Sequence, residues 1–188
     1  MQPKNDRFYF IKDEYYEKFP DCGLVRNKKD RHGRPCYYCF TYDRYYWMVP
    51  ISSKIEKYER LHEHIIKKYG KCDGIVFGYV NGKRSVFLIQ NVCPVTEEYI
   101  SEIYTIEKGT VEVIINPETS KKIKKKVKKV IIMLKKKHTN HHDEHIKNTS
   151  RTHSRIIKYP PQNQRGQIFH TAAKSLLATM STSVPHTS

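Results

Sequence analysis

Near residue 50 the sequence changes its period, and the change fixes a strand that runs straight into a helix. Residues 45–50 are a dense aromatic and apolar run, suited to a pleated, half-buried surface. Ile55, Tyr58, Leu61, Ile65 and Tyr69 then recur at steps of three and four, and Gly70 follows as a helix stop. Between the two lies Ile51-Ser52-Ser53-Lys54. A helix N-terminus presents free backbone N–H groups and the positive end of the macrodipole, so hydroxyls and a lysine there make a ready phosphate site. The same residues also read as a cap, since Ser53-x-x-Glu56 has the form of a capping box. The two roles coexist if Ser53 caps while Ser52 faces a ligand.

Around this junction the chain divides into short elements. Residues 7–12 read as an aromatic-rich first strand, and residues 13–19 as a helical turn that ends at Pro20. Residues 20–34 form a polar, charged loop. Residues 35–41 pair with 45–50 as a hairpin. Residues 74–80 and 83–90 flank Asn81-Gly82, a dipeptide that accepts positive φ at both turn positions. Residues 96–104 read as a short helix capped by Thr96, and 109–115 as another strand. Asn116-Pro117-Glu118 then opens the last helix, with Asn as cap and Pro at the first helical position. Its apolar stripe is Ile123, Val127, Val130, Ile131 and Leu134.

Charge is unevenly placed. The chain of 188 residues carries a net +16. Residues 1–120 hold 19 Lys/Arg against 17 Asp/Glu, a net of +2, whereas residues 121–188 hold 16 against 2, a net of +14. Seven lysines fall within residues 121–129. Like charges on adjacent helical turns repel, so such a helix is expected to face a polyanion. Lys121, Lys122, Lys125, Lys126 and Lys129 are its candidate contacts. Nucleic acid fits better than an anionic membrane, because no segment pairs a basic face with a Trp/Phe/Leu-rich one.

Five cysteines at scattered positions fit reduced thiols in a cytoplasm. Cys36-Tyr37-Tyr38-Cys39 has the form of a zinc or redox motif. In a strand, however, residues three apart point to opposite faces, so these read as buried thiols. His141-His142-Asp143-Glu144-His145 is ligand-rich but lacks the order of a metalloprotease helix. No cofactor and no metal site is expected. No apolar segment approaches a signal peptide or a bilayer span. Residues 138–188 read as a basic, disordered tail behind a folded unit of residues 1–137.

Taken as a set, three segments bring a family into view. Val49-Pro50-Ile51-Ser52-Ser53-Lys54 resembles the P-[LI]-[TS]-S-x-K segment of the ToxN/AbiQ toxins. Val86-Phe87-Leu88-Ile89-Gln90-Asn91-Val92-Cys93-Pro94-Val95 resembles their later strand, and Gly33-Arg34-Pro35-Cys36-Tyr37-Tyr38 the segment with a basic residue before their second strand. Over about residues 6–137 the chain looks most like the CptN branch of these type III toxin–antitoxin toxins. The resemblance implies an α+β fold, a strongly twisted antiparallel sheet of about five or six strands with flanking helices, distantly like the Kid/MazF toxins. It implies a metal-independent endoribonuclease of the bacterial cytoplasm, active on cellular mRNA. The implied inhibitor is a small, repeat-derived, pseudoknot-like RNA, which the toxin processes and holds in a closed cyclic assembly.

By position, Ser52 and Ser53 fall on the family's hydroxyl pair and Arg34 near its basic residue. The family lysine often lies two residues after the second hydroxyl; here Lys54 follows at once and Lys57 is the next basic residue. In place of the family's upstream tyrosine the loop offers Asp30, Arg31 and His32. Metal-free cleavage needs an in-line 2′-hydroxyl, stabilised phosphate charge and proton transfer. Ser52 and Ser53 are expected to hold the phosphate, Lys54 and Arg34 to offset its charge, and His32 to act as acid or base. Lys57 and the rings of Tyr37 and Tyr46 are expected to contact RNA, the rings by stacking. The competing reading is a basic RNA-binding module without chemistry, in which the serines are caps only.

Overall fold

The computed structural model describes residues 2–19 and 33–143, with side chains as far as residue 134. In chain order its elements are β1 (Phe8–Ile11), α1 (Asp13–Lys18), β2 (Cys36–Tyr42), β3 (Tyr45–Ser52), α2 (Ile55–Tyr69), β4 (Ile75–Val80), β5 (Lys83–Leu88), β6 (Cys93–Val95), β7 (Ile100–Ile103), β8 (Thr105–Ile106), β9 (Val111–Glu112) and α3 (Pro117–Asp143). The fold is α+β. A seven-stranded antiparallel sheet runs β4-β5-β3-β2-β1-β7, and β6 adds to β3 beyond the end of β5. Strands β8 and β9 form a separate ribbon.

Alternation along the strands sorts the core onto two faces. Tyr37, Cys39, Trp47, Val49, Val76, Val80 and Phe87 pack with Ile123, Val127 and Ile131 of α3. Their sequence neighbours Cys36, Tyr38 and Met48 pack with Tyr15 and Tyr16 of α1. Ile75, Val86 and Leu88 pack with Ile65 of α2 and with the partly buried Ile55, Tyr58 and Leu61. So α3 covers one face, and α1 and α2 share the other.

Local chemistry explains the connections. Asn81 (φ 48°) and Gly82 (φ 69°) turn β4 into β5 as the dipeptide requires. The β2–β3 hairpin uses Asp43 (φ 52°) and Arg44 (φ 60°) in the same left-handed region. Helix α2 ends on Gly70 (φ 73°), whose N–H donates to Ile66 O at 2.7 Å. Asn116 Oδ1 accepts the Glu118 N–H at 2.8 Å, which realises the expected cap of α3. Gly78 has a different reason: a Cβ there would lie 2.7 Å from Thr119 Cγ2 of α3.

Two expectations fail. Residues 96–104 are not a helix: a single 3₁₀ turn, Glu97–Tyr99, leads into β7, and Thr96 makes no side-chain cap. The Lys12 N–H to Tyr99 O bond and the β1–β7 pairing draw the segment into the sheet, so Ile100 is buried there. Of residues 109–115 only Val111–Glu112 is strand, paired to β8 and not to the main sheet. The backbone of α3 continues to Asp143, past residue 137. The loop containing His32 and most of the expected tail, with part of the histidine group, lie outside the described residues.

Candidate functional site

The β3–α2 junction is built differently from a capping box. Ser52 Oγ accepts the Lys54 N–H at 3.2 Å, and Ser53 O accepts the Ile55 N–H at 2.9 Å. Lys54, not Ser53, is the N-cap residue, and no side chain caps it. Ser53 and Lys54 are exposed, and the Ser53 hydroxyl has no hydrogen-bond partner among the described residues. The expected division of labour is therefore reversed: Ser52 braces the turn and Ser53 is left to solvent. Lys57, one turn further on, is exposed with its ammonium 5.6 Å from the Tyr58 ring.

Arg34 belongs to the same end of the sheet. The last registered β2–β3 pair is Cys36 with Pro50, and Arg34 lies two residues before it in the chain. Arg34 is exposed. Ser52 itself pairs with Val86 and falls in step with Met48, on the face that carries α1 and α2. The lysines of α3 belong to the other face. Thus the candidate catalytic residues and the candidate RNA-binding helix are not brought together on one face.

Along α3 the lysines divide into two flanks. Lys126 Nζ donates to the carbonyl oxygens of Cys72 and Ile75, the latter at 3.3 Å, and lies 3.9 Å from Asp73. Burial holds its ammonium below the usual lysine range, with Asp73 opposing that. Lys129 Nζ is 3.3 Å from Asp73 Oδ2. These two candidate RNA contacts instead clamp the α2–β4 loop, so Lys126 is corrected to a structural lysine and Lys129 is already paired. Lys121, Lys122 and Lys125 are exposed.

The opposite flank holds a network that the sequence does not announce. Asp6, with φ 63°, accepts hydrogen bonds from the Tyr37 hydroxyl, from Ser120 Oγ at 2.7 Å and from Lys124 Nζ at 2.6 Å. Desolvation pushes the Asp6 carboxyl up, but the bonds from Lys124, Tyr37 and Ser120 outweigh it and hold the group below its ordinary range. Burial, then the neighbouring Asp6, push the Tyr37 hydroxyl well up, so it stays a donor. Beside this network Arg7 Nε bonds Glu112 at 2.7 Å, and a depression opens against the start of α3.

Tyr37 has no exposed surface and is corrected from stacking platform to core. Tyr46 is half-buried against Tyr38, with ring centroids 5.3 Å apart. Cys36 and Cys39 lie in separate clusters on opposite faces, as strand geometry requires. Among the described residues, no three His, Cys, Asp or Glu side chains are placed to hold a metal ion, and no helix is long and apolar enough to cross a membrane. Asp6, Arg7, Ser120, Lys124 and Lys128 escape sequence reasoning because they meet only through the β1–β2 pairing and the packing of α3 over that part of the sheet. The spacing of Ser120, Lys124 and Lys128 by four is the one signal that marks them as a single flank.

No model of a known protein family matches the chain, and no curated protein is significantly similar to it. What the fold and site define is an α+β protein with a solvent-facing hydroxyl–lysine pair at a strand-to-helix junction.

Proposed function

We propose that the protein is a metal-independent endoribonuclease toxin of the type III toxin–antitoxin kind. The observation that carries this reading is the Ser53 hydroxyl: exposed, not engaged in capping, and followed by Lys54 at the start of α2. Arg34, two residues before β2 at the same end of the sheet, is the second cation of the proposal. In the proposed reaction the RNA's own 2′-oxygen attacks the adjacent phosphorus and the bond to the 5′-oxygen breaks. The products carry a 2′,3′-cyclic phosphate and a 5′-hydroxyl. The 2′ proton leaves to a base and a proton is delivered to the departing 5′-oxygen; His32 is the proposed group for these transfers. Ser53 and Lys54 stabilise the charge that develops on the phosphate oxygens, where preorganised donors act most strongly.

The resemblance extends the proposal to partners: cellular mRNA as substrate, and a small repeat-derived pseudoknot-like RNA as inhibitor, held in a closed cyclic assembly in the bacterial cytoplasm. The second reading, a non-catalytic RNA-binding module, is favoured by the lysines of α3 lying on the face away from the junction. Incubation with RNA in EDTA separates the two. The nuclease reading expects cyclic-phosphate ends from the wild type and a rate loss of at least about 100-fold in Ser53→Ala, the usual cost of one transition-state donor. A folded Ser53→Ala protein that cleaves at the wild-type rate leaves the serine without a chemical role.

A further inference from the structure

A depression of about 640 Å³ beside the start of α3 gathers positive charge on the face that the junction does not use. Arg7, Lys121, Lys124, Lys125 and Lys128 line it, with the apolar Ile114, Ile115 and Pro117. Asp6 is the one carboxylate in its lining and is already engaged by Tyr37, Ser120 and Lys124. Arg7 gives Nε to Glu112 and one terminal nitrogen to Asp6 O, which leaves further N–H donors of its five-donor fork. Lys121, Lys125 and Lys128 make no ion pair among the described residues. Neighbouring cations repel one another. Asp6 answers Lys124, Glu112 answers Arg7 and Lys128 lies 5.8 Å from the Phe40 ring, while no carboxylate among the described residues faces Lys121, Lys125 or Lys128.

We propose that this depression binds the phosphate backbone of a single RNA strand, as an anchor separate from the β3–α2 junction. The proposal rests on RNA being the protein's ligand. The volume lies within the range of sites that enclose a ligand of nucleotide size. The unpaired lysines sit on successive turns of α3, about 5.4 Å apart along the axis, a step suited to successive phosphates of an extended strand and unlike a nest for one anion. Ile114 is 59% exposed, an apolar surface against which a sugar or base edge can lie.

The test uses the full chain carrying Ser53→Ala and a short 2′-O-methyl oligoribonucleotide, which lacks the attacking hydroxyl. Affinity is measured against salt. Replacing Lys121, Lys125 and Lys128 together with Gln is expected to flatten the slope of log affinity against log salt by about 2, since each single-strand phosphate contact contributes about 0.7. The corresponding Arg variant keeps the slope, and circular dichroism checks that both fold. A control replacing Lys67, Lys71 and Lys83 with Gln removes the same charge elsewhere and changes the slope by less than half as much. An unchanged slope in the folded Gln variant, or an equal change in the control, overturns the anchor. Capture by anionic vesicles without RNA binding overturns it too. Cleavage of unmodified RNA in EDTA by protein with Ser53 intact is scored separately. Loss of cleavage with the slope change intact sinks the nuclease and keeps the anchor; cleavage without the slope change does the reverse.

Discussion

The two flanks of α3 carry the same residue type and do opposite things. On one flank Lys126 and Lys129 reach Asp73 of the α2–β4 loop, and Lys126 also the carbonyl oxygens of Cys72 and Ile75, so their charge is used inside the fold. On the other, Lys124 is answered by Asp6 while Lys121, Lys125 and Lys128 are not answered among the described residues. What separates a structural lysine from a binding one is therefore the acid or carbonyl that the fold places opposite it, not its place in a lysine run. The opposing groups, Asp73 and Asp6, lie 56 and 118 residues from their lysines. The difference between the flanks is a property of topology.

The contrast can be broken most sharply where α3 presses on β4. Gly78→Ala sets a methyl 2.7 Å from Thr119 Cγ2 and 3.1 Å from Phe87, and is expected to cost about 3 kcal/mol in urea unfolding. A cost under about 1 kcal/mol would mean that α3 shifts freely and that the clamp flank is not tight. Next in size, Lys126→Ala is expected to cost about 2 kcal/mol, because it strips the donor from the carbonyls of Cys72 and Ile75. Lys121→Ala should stay within about 0.5 kcal/mol of wild type. Equal effects from the two substitutions would erase the distinction between the flanks.

A smaller effect than that of Lys126 depends on pH. The Asp6 carboxyl lies below its ordinary value of 3.8 in the folded chain, so its contribution is present above that value and is lost as pH falls through the folded value. Asp6→Asn keeps a side chain that tolerates positive φ and is expected to cost about 1 kcal/mol at pH 6, less as the pH drops below 3.8. Unfolding measured from pH 6 to about 2.5 checks this. A cost that stays constant over that range would mean the network does not depend on the carboxylate.

Much of the fold was legible because its signals are local. Asn81-Gly82, the Asn116-Pro117 start and the stripes of α2 and α3 each rest on neighbouring residues, and each appears where the sequence puts it. The misses rest on contacts with distant residues. The segment after Thr96 carries helix-start chemistry, yet the open edge of β1 makes part of it a strand. The expected capping box does not form: the N-cap falls on Lys54, whose side chain cannot accept, and Ser52 rather than Ser53 takes the one hydrogen bond a serine side chain makes at the turn. Tyr37 was indistinguishable from Tyr46 until the sheet gained faces.

The placement of β1 sets when these sites can exist during synthesis. Phe8–Ile11 lies between β2 and β7 in the sheet, and Asp6 closes its network only with Ser120, 114 residues later. At ribosomal speeds of about 5–20 residues per second, that delay is roughly 6–23 s. Early in that interval β1 gains β2 on one side, but its other edge stays open until β7 is made near the end, since contacts this remote in sequence form late. The basic depression, made from the two ends of the folded unit, is then complete only when nearly all of that unit has been translated.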